Sequence, residues 1–281
     1  MNDKLKNLLI RTLSGAVMLA LLLGATLYSY GTFLLLLLLV IVGGMWEFYR
    51  LAELDGVRPQ RWLGMTMGLL IFLFAIVFFA EMSRPADSLY FLPFILVIPF
   101  LMLIIELFAG KGDLFKGVGT TLLGVFYVAV PASLLIGVPL LIGEGVWNPW
   151  ALLAFVFIIW ANDVFAYLVG TTLGRHKMCP TISPKKSWEG FVGGLVGAVA
   201  MGYAASQVLT MSPMLWCGLA LVAAVTGVLG DLVESQLKRR VGVKDSGNLI
   251  PGHGGVLDRF DALLLATPFV FLFLLFYRMF F

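Results

Sequence analysis

Long apolar stretches alternate with short polar segments along the whole chain. Nine stretches of about 18 or more mainly apolar residues can be counted, and each is long enough to cross a hydrocarbon core of about 30 Å as a helix. They run roughly over residues 12–29, 32–49, 62–80, 89–108, 117–142, 150–170, 190–209, 213–234 and 260–280. A chain in lipid must pair its own backbone groups, and a helix does this within one segment. The pattern therefore predicts an all-α, polytopic membrane protein, a bundle of about nine transmembrane helices.

The composition agrees with this class and excludes others. Hydrophobic residues make up 60% of the chain and charged residues 12%, where soluble domains have about 25% charged residues. The mean hydropathy is +0.99. These values exclude a soluble globular domain. A membrane β-barrel is not expected either, because the apolar runs are continuous and do not alternate with polar residues.

The basic residues are divided unevenly between the two sides that these helices define. Seventeen of the 19 lysines and arginines fall on the side that carries the N-terminus, and only Arg84 and Arg278 fall on the other. Positive charge is retained on the cytoplasmic side of a membrane. We therefore expect a cytoplasmic N-terminus and an external C-terminus. The two long polar loops, residues 171–189 and 235–259, then lie in the cytoplasm.

Acidic side chains occur within or at the ends of three predicted helices, and ionisable residues at such places are candidates for function. They are Asp163 in the sixth helix, Asp231 and Glu234 on one face of the eighth, and Asp258 and Asp261 on the first turns of the ninth. Simpler interpretations are a polar contact between helices, a solvated helix end and an acidic N-cap, respectively. The predicted topology brings all five to the cytoplasmic edge of the membrane, which favours one shared site.

Lysines and hydroxyls are concentrated in the first long loop. Its segment SPKKSWEG contains Ser183, Lys185, Lys186 and Ser187. Cations and hydroxyls beside a bilayer suit a ligand that carries phosphate. The alternatives are that the positive charge only fixes the topology or attracts anionic lipid to the surface.

Glycines precede the two aspartates of the ninth helix, in the segment GHGGVLDRFD. Gly254 and Gly255 would let backbone amides approach a phosphate at the start of a helix. Asp258 and Asp261 would repel that anion unless a cation lies between them. Because Mg²⁺ is typically held by one or two carboxylates together with substrate phosphates, the segment predicts a divalent metal beside a phosphate ligand.

The segment SQLKRRVGVKDSGNLIPGHGGVLDRFD, residues 235–261, resembles the signature of the phosphatidate cytidylyltransferases, or CDP-diacylglycerol synthases. The matching positions are Ser235, Lys238, Arg239, Lys244, Asp245, His253, Gly254, Gly255, Asp258, Arg259 and Asp261. The resemblance extends more loosely to Asp163 and to SPKKSWEG. It implies a reaction of CTP with phosphatidic acid that gives CDP-diacylglycerol and pyrophosphate, with a divalent metal. We accordingly assign catalysis to residues 150–281 and leave the role of residues 1–149, about five helices, unassigned.

The resemblance also implies roles for single residues. Asp231, Asp258 and Asp261 are the expected ligands of Mg²⁺, with a second ion left open. Lys238, Arg239, Lys244 and Arg259 are expected to bind CTP phosphates or stabilise pyrophosphate, and His253 is either a donor to a phosphate or structural. The expected substrate-binding residues are Asp163, Ser183, Lys185, Lys186, Ser187, Ser235, Gly254 and Gly255. The resemblance further suggests a homodimer in the inner membrane of a bacterium.

Three other classes of function remain as alternatives. A lipid kinase that uses CTP would need the same cations and metal, and the 235–261 match favours the cytidylyltransferase over it. A transporter would use the buried carboxylates as an ion path, but transporter sites usually lie near the bilayer midplane. A purely structural membrane protein leaves the group of acids without a purpose.

Overall fold

The structure, a computed structural model, describes residues 3–80, 92–109 and 114–281 and is almost entirely helical in these ranges. Arg84 and Lys111, which the charge count includes, and the start of the fourth predicted helix lie outside the described residues. The helices are α1 (Asp3–Tyr28), α2 (Tyr30–Leu54), α3 (Arg61–Ala80), α4 (Leu92–Ala109), α5 (Leu114–Gly124), α6 (Val130–Leu134), α7 (Gly137–Ile142), α8 (Pro149–Thr172), α9 (Trp188–Val208), α10 (Pro213–Arg240) and α11 (Leu257–Phe280). A π-helical turn, Val125–Ala129, joins α5 to α6.

The predicted class of an all-α membrane protein is confirmed. Among the described residues, eight helical segments are long and apolar enough to cross a membrane, and a shorter apolar helix covers Ile95–Phe108 within α4. The longest of the eight, Leu114–Ile142, combines α5, the π-helical turn, α6 and α7. Large apolar side chains such as Leu35 and Leu39 of α2 are exposed, as expected of surfaces that face lipid.

Two segments differ from the prediction that they are loops. Residues 171–189 contain an antiparallel hairpin of β1 (Lys177–Cys179) and β2 (Ser183–Ser187), in which Lys177 pairs with Ser187 and Cys179 with Ser183. The eighth predicted helix does not end at residue 234, because α10 continues to Arg240. Ser235, Lys238 and Arg239 therefore lie on a helix, and the second loop covers only residues 241–256.

The described chain divides into two compact units, each made of two segments of sequence. The first unit contains Met1–Ile136 and Arg240–Phe260, and the second contains Gly137–Arg239 and Asp261–Phe281. Asp258 thus belongs to the first unit and Asp261 to the second. This division concerns packing, and the assignment of catalysis to residues 150–281 stays a prediction.

In the first unit, α2 supplies much of the core. Met45 and Tyr49 are fully buried, and the Tyr49 hydroxyl donates a hydrogen bond of 2.9 Å to the backbone oxygen of Thr121 in α5. At the end of α2, Asp55 pairs with Arg240, the first residue of the returning segment, at 2.8 Å. The first contact joins α2 to α5, and the second joins α2 to the segment of residues 240–260.

In the second unit, small residues allow the helices to approach closely. A side chain at Gly194 of α9 would collide with Asn162 of α8, and a side chain at Gly197 would collide with Phe165. Small residues at such crossings permit tight packing in membranes. Ser187, the last residue of β2, is the N-cap of α9 and accepts a hydrogen bond from the Gly190 amide at 3.2 Å. The hairpin is thereby attached to the start of α9.

Candidate active site

Three carboxylates of the second unit meet in one place. In the part of the chain that the structure describes, oxygen atoms of Asp231, Glu234 and Asp261 all lie within 4.8 Å of one another. Asp231 and Glu234 are one turn apart on α10, as predicted, and Asp261 comes from α11. The structure brings Asp231 and Asp261 together as the prediction requires and adds Glu234, which was expected on this face but not as a metal ligand.

Gly230 makes this meeting of α10 and α11 possible. A Cβ atom at residue 230 would lie 2.6 Å from the backbone oxygen of Asp261 and 2.9 Å from the Cβ atom of Leu265. No side chain fits at these distances without a shift of the helices. The backbone of α11 therefore lies directly against α10 beside the carboxylates.

Two lysines neutralise part of this negative charge. The Nζ atom of Lys186, on β2, lies 2.5 Å from Oδ2 of Asp231, and Lys238 forms an ion pair with Glu234 one turn away on α10. Side chains of consecutive strand residues point to opposite faces, so Lys185 is exposed while Lys186 reaches the carboxylates. The hairpin thus brings one of its two predicted phosphate-binding lysines to the acidic group.

Other predicted residues of the second unit lie around the same group. Asp163 of α8 interacts electrostatically with Asp231 and Lys186. Ser235 donates a hydrogen bond of 3.3 Å to Oδ1 of Asp231. Ser183 is partly buried in β2, Ser187 is buried as the N-cap of α9, and Arg239 is exposed near the end of α10. Binding of substrate by these residues stays a prediction.

In the first unit, Asp258 organises the loop of residues 241–256. Its Oδ2 atom accepts hydrogen bonds from the Ser246 amide at 2.8 Å, the Ser246 hydroxyl at 2.9 Å and the Gly255 amide at 2.7 Å. The Gly255 amide, predicted to face a phosphate, is thus engaged within the chain. Gly254 has a φ of +86°, a backbone conformation that glycine adopts without strain. Metal binding by Asp258 stays a prediction.

His253 is held from two directions. Its Nδ1 atom lies 2.7 Å from the Ser14 hydroxyl of α1, and its backbone oxygen accepts a hydrogen bond of 2.9 Å from Nε of Arg259. Burial, and then the charges of Arg259 and Arg11, lower the pKa of the His253 imidazole. These contacts are structural, and a donor role toward phosphate stays a prediction. Lys244 is exposed in the same loop.

Glu47 of α2 is a polar residue that the sequence reasoning did not select. Its side chain is buried, and its carboxylate accepts hydrogen bonds from the Ser246 hydroxyl at 3.0 Å, the Val256 amide at 3.0 Å and the Leu257 amide at 2.9 Å. A signal was available, because Glu47 is an acidic residue that follows a long apolar run in a predicted helix. Its partners lie 199 to 210 residues further along the chain, and no local pattern connects residues at that separation.

The sequence of the chain is similar to one protein family and to several bacterial proteins. The sequence model of the cytidylyltransferase family matches residues 9–277. A phosphatidate cytidylyltransferase of Bacillus subtilis (strain 168) is 49% identical over 117 residues, which cover 41% of this chain and 43% of the relative. One of Staphylococcus aureus (strain COL) is 46% identical over 121 residues, or 42% and 46% of the two chains. One of Mycobacterium bovis is 48% identical over 116 residues, or 41% and 38%. The matched segments span less than half the length of these relatives.

Proposed function

Because the chain belongs to the cytidylyltransferase family, we propose that it transfers CMP from CTP to phosphatidic acid. The products are CDP-diacylglycerol and pyrophosphate. Three relatives that share 46–49% identity with a segment of the chain are named phosphatidate cytidylyltransferases, and the signature at residues 235–261 supports the same assignment. The reaction joins a soluble nucleotide to a lipid, which suits a protein whose polar side chains collect at helix ends.

The observation that carries the proposal is the group of Asp231, Glu234 and Asp261 with Lys186 at its edge. Carboxylates and cations side by side are unusual at membrane-spanning helices, since each isolated charge there costs free energy. Phosphoryl chemistry uses both, because positioning and charge neutralisation supply most of its catalysis. A lysine beside the acids provides a cation for a phosphate at the same place.

These residues fit a hard divalent cation. Their donor atoms are carboxylate oxygens, which Mg²⁺ prefers, and three of them lie within 4.8 Å of one another. We propose that Asp231 and Asp261, with Glu234, hold Mg²⁺, whereas metal binding by Asp258 stays a prediction from the sequence. When bound, the ion would neutralise negative charge on the phosphates of CTP.

The chain's own residues then position two anionic substrates. A phosphate oxygen of phosphatidic acid attacks the α-phosphorus of CTP and forms the new P–O bond, while the bond from that phosphorus to the bridging oxygen of the β-phosphate breaks. No general base is required, because the attacking phosphate is already anionic near neutral pH. Lys238, Arg239, Lys244 and Arg259 would stabilise the pyrophosphate that leaves. Lys185 and Lys186 would hold the lipid headgroup or the nucleotide, with hydroxyls of Ser183, Ser187 and Ser235.

We further propose that this chemistry takes place on the cytoplasmic side of a bacterial inner membrane. CTP is a cytoplasmic nucleotide, and seventeen of the 19 basic residues fall on the side predicted to be cytoplasmic. The relatives named above are bacterial proteins. A homodimer is part of the same proposal and rests on the family resemblance alone.

A labelling experiment tests the reaction directly. Purified protein in detergent would be given Mg²⁺, phosphatidic acid and CTP labelled at either the α- or the γ-phosphate, and the label in the lipid phase would be measured. Entry of the α-label alone is expected. Entry of the γ-label alone would show a CTP-dependent lipid kinase, and entry of neither label, in an assay validated with a known enzyme, would refute lipid chemistry.

Matched variants connect the activity to the site. Asp231→Asn should abolish entry of the α-label because it removes a carboxylate from the acidic group. Glu144→Gln is the control, since Glu144 is an exposed acid in the short connection between α7 and α8. Full activity of Asp231→Asn at limiting Mg²⁺ would show that the assignment of this carboxylate is wrong.

A further inference from the structure

We infer that Glu47 is a positioning residue that fixes the loop of residues 241–256 and the start of α11 for nucleotide binding. This inference rests on the proposed function, because the loop and the first turn of α11 carry Lys244 and Arg259, which we propose bind the CTP phosphates and stabilise the pyrophosphate that leaves. Glu47 itself lies on α2, in the half of the chain to which no role was assigned. It is proposed to act through the loop and not by contact with substrate.

The hydrogen bonds of Glu47 all go to this region of the first unit. Oε1 accepts from the Val256 amide, and Oε2 accepts from the Leu257 amide and the Ser246 hydroxyl. The first amides of a helix have no acceptor within the helix, and α11 begins at Leu257. The carboxylate therefore caps α11 from another helix. A negative charge there is also favoured by the helix dipole.

Ser246 connects Glu47 to Asp258. The Ser246 hydroxyl lies 3.0 Å from Oε2 of Glu47 and 2.9 Å from Oδ2 of Asp258. A hydroxyl has one proton to donate, so the two carboxylates share one donor. The Ser246 amide donates to Asp258 as well, at 2.8 Å. Displacement of Ser246 would therefore disturb the carboxylate that organises the rest of the loop.

Glycines on α2 and in the loop allow close packing around the Glu47 carboxylate. A side chain at Gly247 or Gly255 of the loop would collide with the Glu47 carboxylate. On α2, a Cβ atom at Gly43 would lie 2.9 Å from Cγ2 of Val256, and one at Gly44 would lie 3.3 Å from Cδ2 of Leu257. The loop thus packs against the backbone of α2. These glycines leave room for the Glu47 carboxylate beside the loop.

A substitution that keeps the shape of Glu47 separates positioning from simple support of the fold. Glu47→Gln has the same size but places an amide NH₂ where a carboxylate oxygen accepted a hydrogen bond, so one donor of the loop then faces another donor. We expect the KM for CTP to rise about 10-fold, comparable to the lower end of the 10- to 100-fold losses seen when residues that orient metal ligands are replaced. The KM for phosphatidic acid should stay within about twofold, since no proposed headgroup ligand lies in this loop. Partial unfolding lowers the amount of active protein but does not change a KM.

Glu53→Gln is the matched control. Glu53 lies on α2 as well, but it pairs with Arg61 of α3 and is about one-third exposed. Its replacement should leave both KM values unchanged. Hydrogen exchange of peptides that cover residues 246–257 provides a second readout that does not depend on activity. Exchange there should be faster in Glu47→Gln than in Glu53→Gln.

Two results for Glu47→Gln would contradict a positioning role of Glu47. An unchanged KM for CTP in Glu47→Gln, or a fall in kcat alone with unchanged exchange of the loop, would overturn the inference. If Glu47→Gln does not fold, Ser246→Ala carries the test, because it removes one of the three donors to Glu47 and should raise the KM for CTP in the same direction. An unchanged KM in that variant would also overturn the inference. Failure of the wild-type protein to use CTP would refute the proposed function, while the exchange measurement would still report whether Glu47 holds the loop.

Discussion

The contact between α10 and α11 at Gly230 gives the sharpest prediction, because the chain contains its own control. In Gly230→Ala, the added Cβ atom would lie 2.6 Å from the backbone oxygen of Asp261, whereas ordinary contacts begin at 3.4 Å. The two helices must therefore separate locally by roughly the difference, about 0.8 Å. The separation acts directly on the carboxylates, since Asp231 follows Gly230 on α10 and Asp261 supplies the oxygen that is pushed away.

The expected losses follow from this displacement. Overpacking of a tight contact costs about 1–3 kcal/mol, which is offset in part by about 0.5–1 kcal/mol that alanine gains over glycine in a helix. A displacement of about 1 Å at a reacting centre can lower the rate about 100-fold. We therefore expect a modest fall in stability and a loss of activity of about 10- to 100-fold.

Gly227→Ala is the matched control for this prediction. Gly227 precedes Gly230 by three residues on the same helix, but a Cβ atom there would lie 3.7 Å from the Cβ atom of Ala262, an ordinary contact. Entry of α-labelled CMP into lipid and thermal unfolding in detergent would be measured for both variants over a range of Mg²⁺ concentrations. Equal activity of the two variants would refute the view that this close approach forms the site.

Three further predictions concern single side chains. Lys186→Ala should change the Mg²⁺ dependence of activity more than Lys185→Ala, because only Lys186 contacts Asp231; equal curves would contradict this. Chelation of Mg²⁺ should abolish entry of the α-label into lipid, and added Mg²⁺ should restore it in the wild-type protein. In Asp261→Asn, added Mg²⁺ should not restore entry of the label. The folded state holds His253 below its ordinary pKa of 6.5, so the unfolded state binds more protons and stability should fall as the pH drops through about 6.5. In His253→Asn, the unfolding temperature should depend less on pH between about pH 5 and 7. An unchanged dependence on pH would refute a contribution of His253 to it.

The helices could be predicted because lipid imposes a simple rule on sequence. Each apolar run corresponds to an apolar helix in the described chain, and Asp231 and Asp261 could be brought together because helix ends fall at one membrane level. The hairpin of β1 and β2 could not be predicted from its short, polar strands. α10 continues to Arg240 beyond the apolar run, and the ion pair of Lys238 with Glu234 lies in this polar extension, which a rule based on apolar length does not include.

Glu47 shows why the remaining part of the site was missed. Its partners lie 199 to 210 residues further along the chain, and nothing in the sequence around Glu47 identifies them. An acidic residue close to the end of an apolar run resembles an ordinary interfacial charge. Its burial and its three donors become visible only when α2 and the loop are seen together.

The same separation along the chain has a consequence for the synthesis of the protein. The Val256 amide that binds Glu47 follows it by 209 residues, and at about 5–20 residues per second a ribosome needs roughly 10–40 s to produce it. During that interval α2 carries a carboxylate without its three later donors. A buried polar group without its hydrogen-bond partners costs free energy. Arrival of the loop supplies these three donors, so the first unit can be completed only near the end of synthesis.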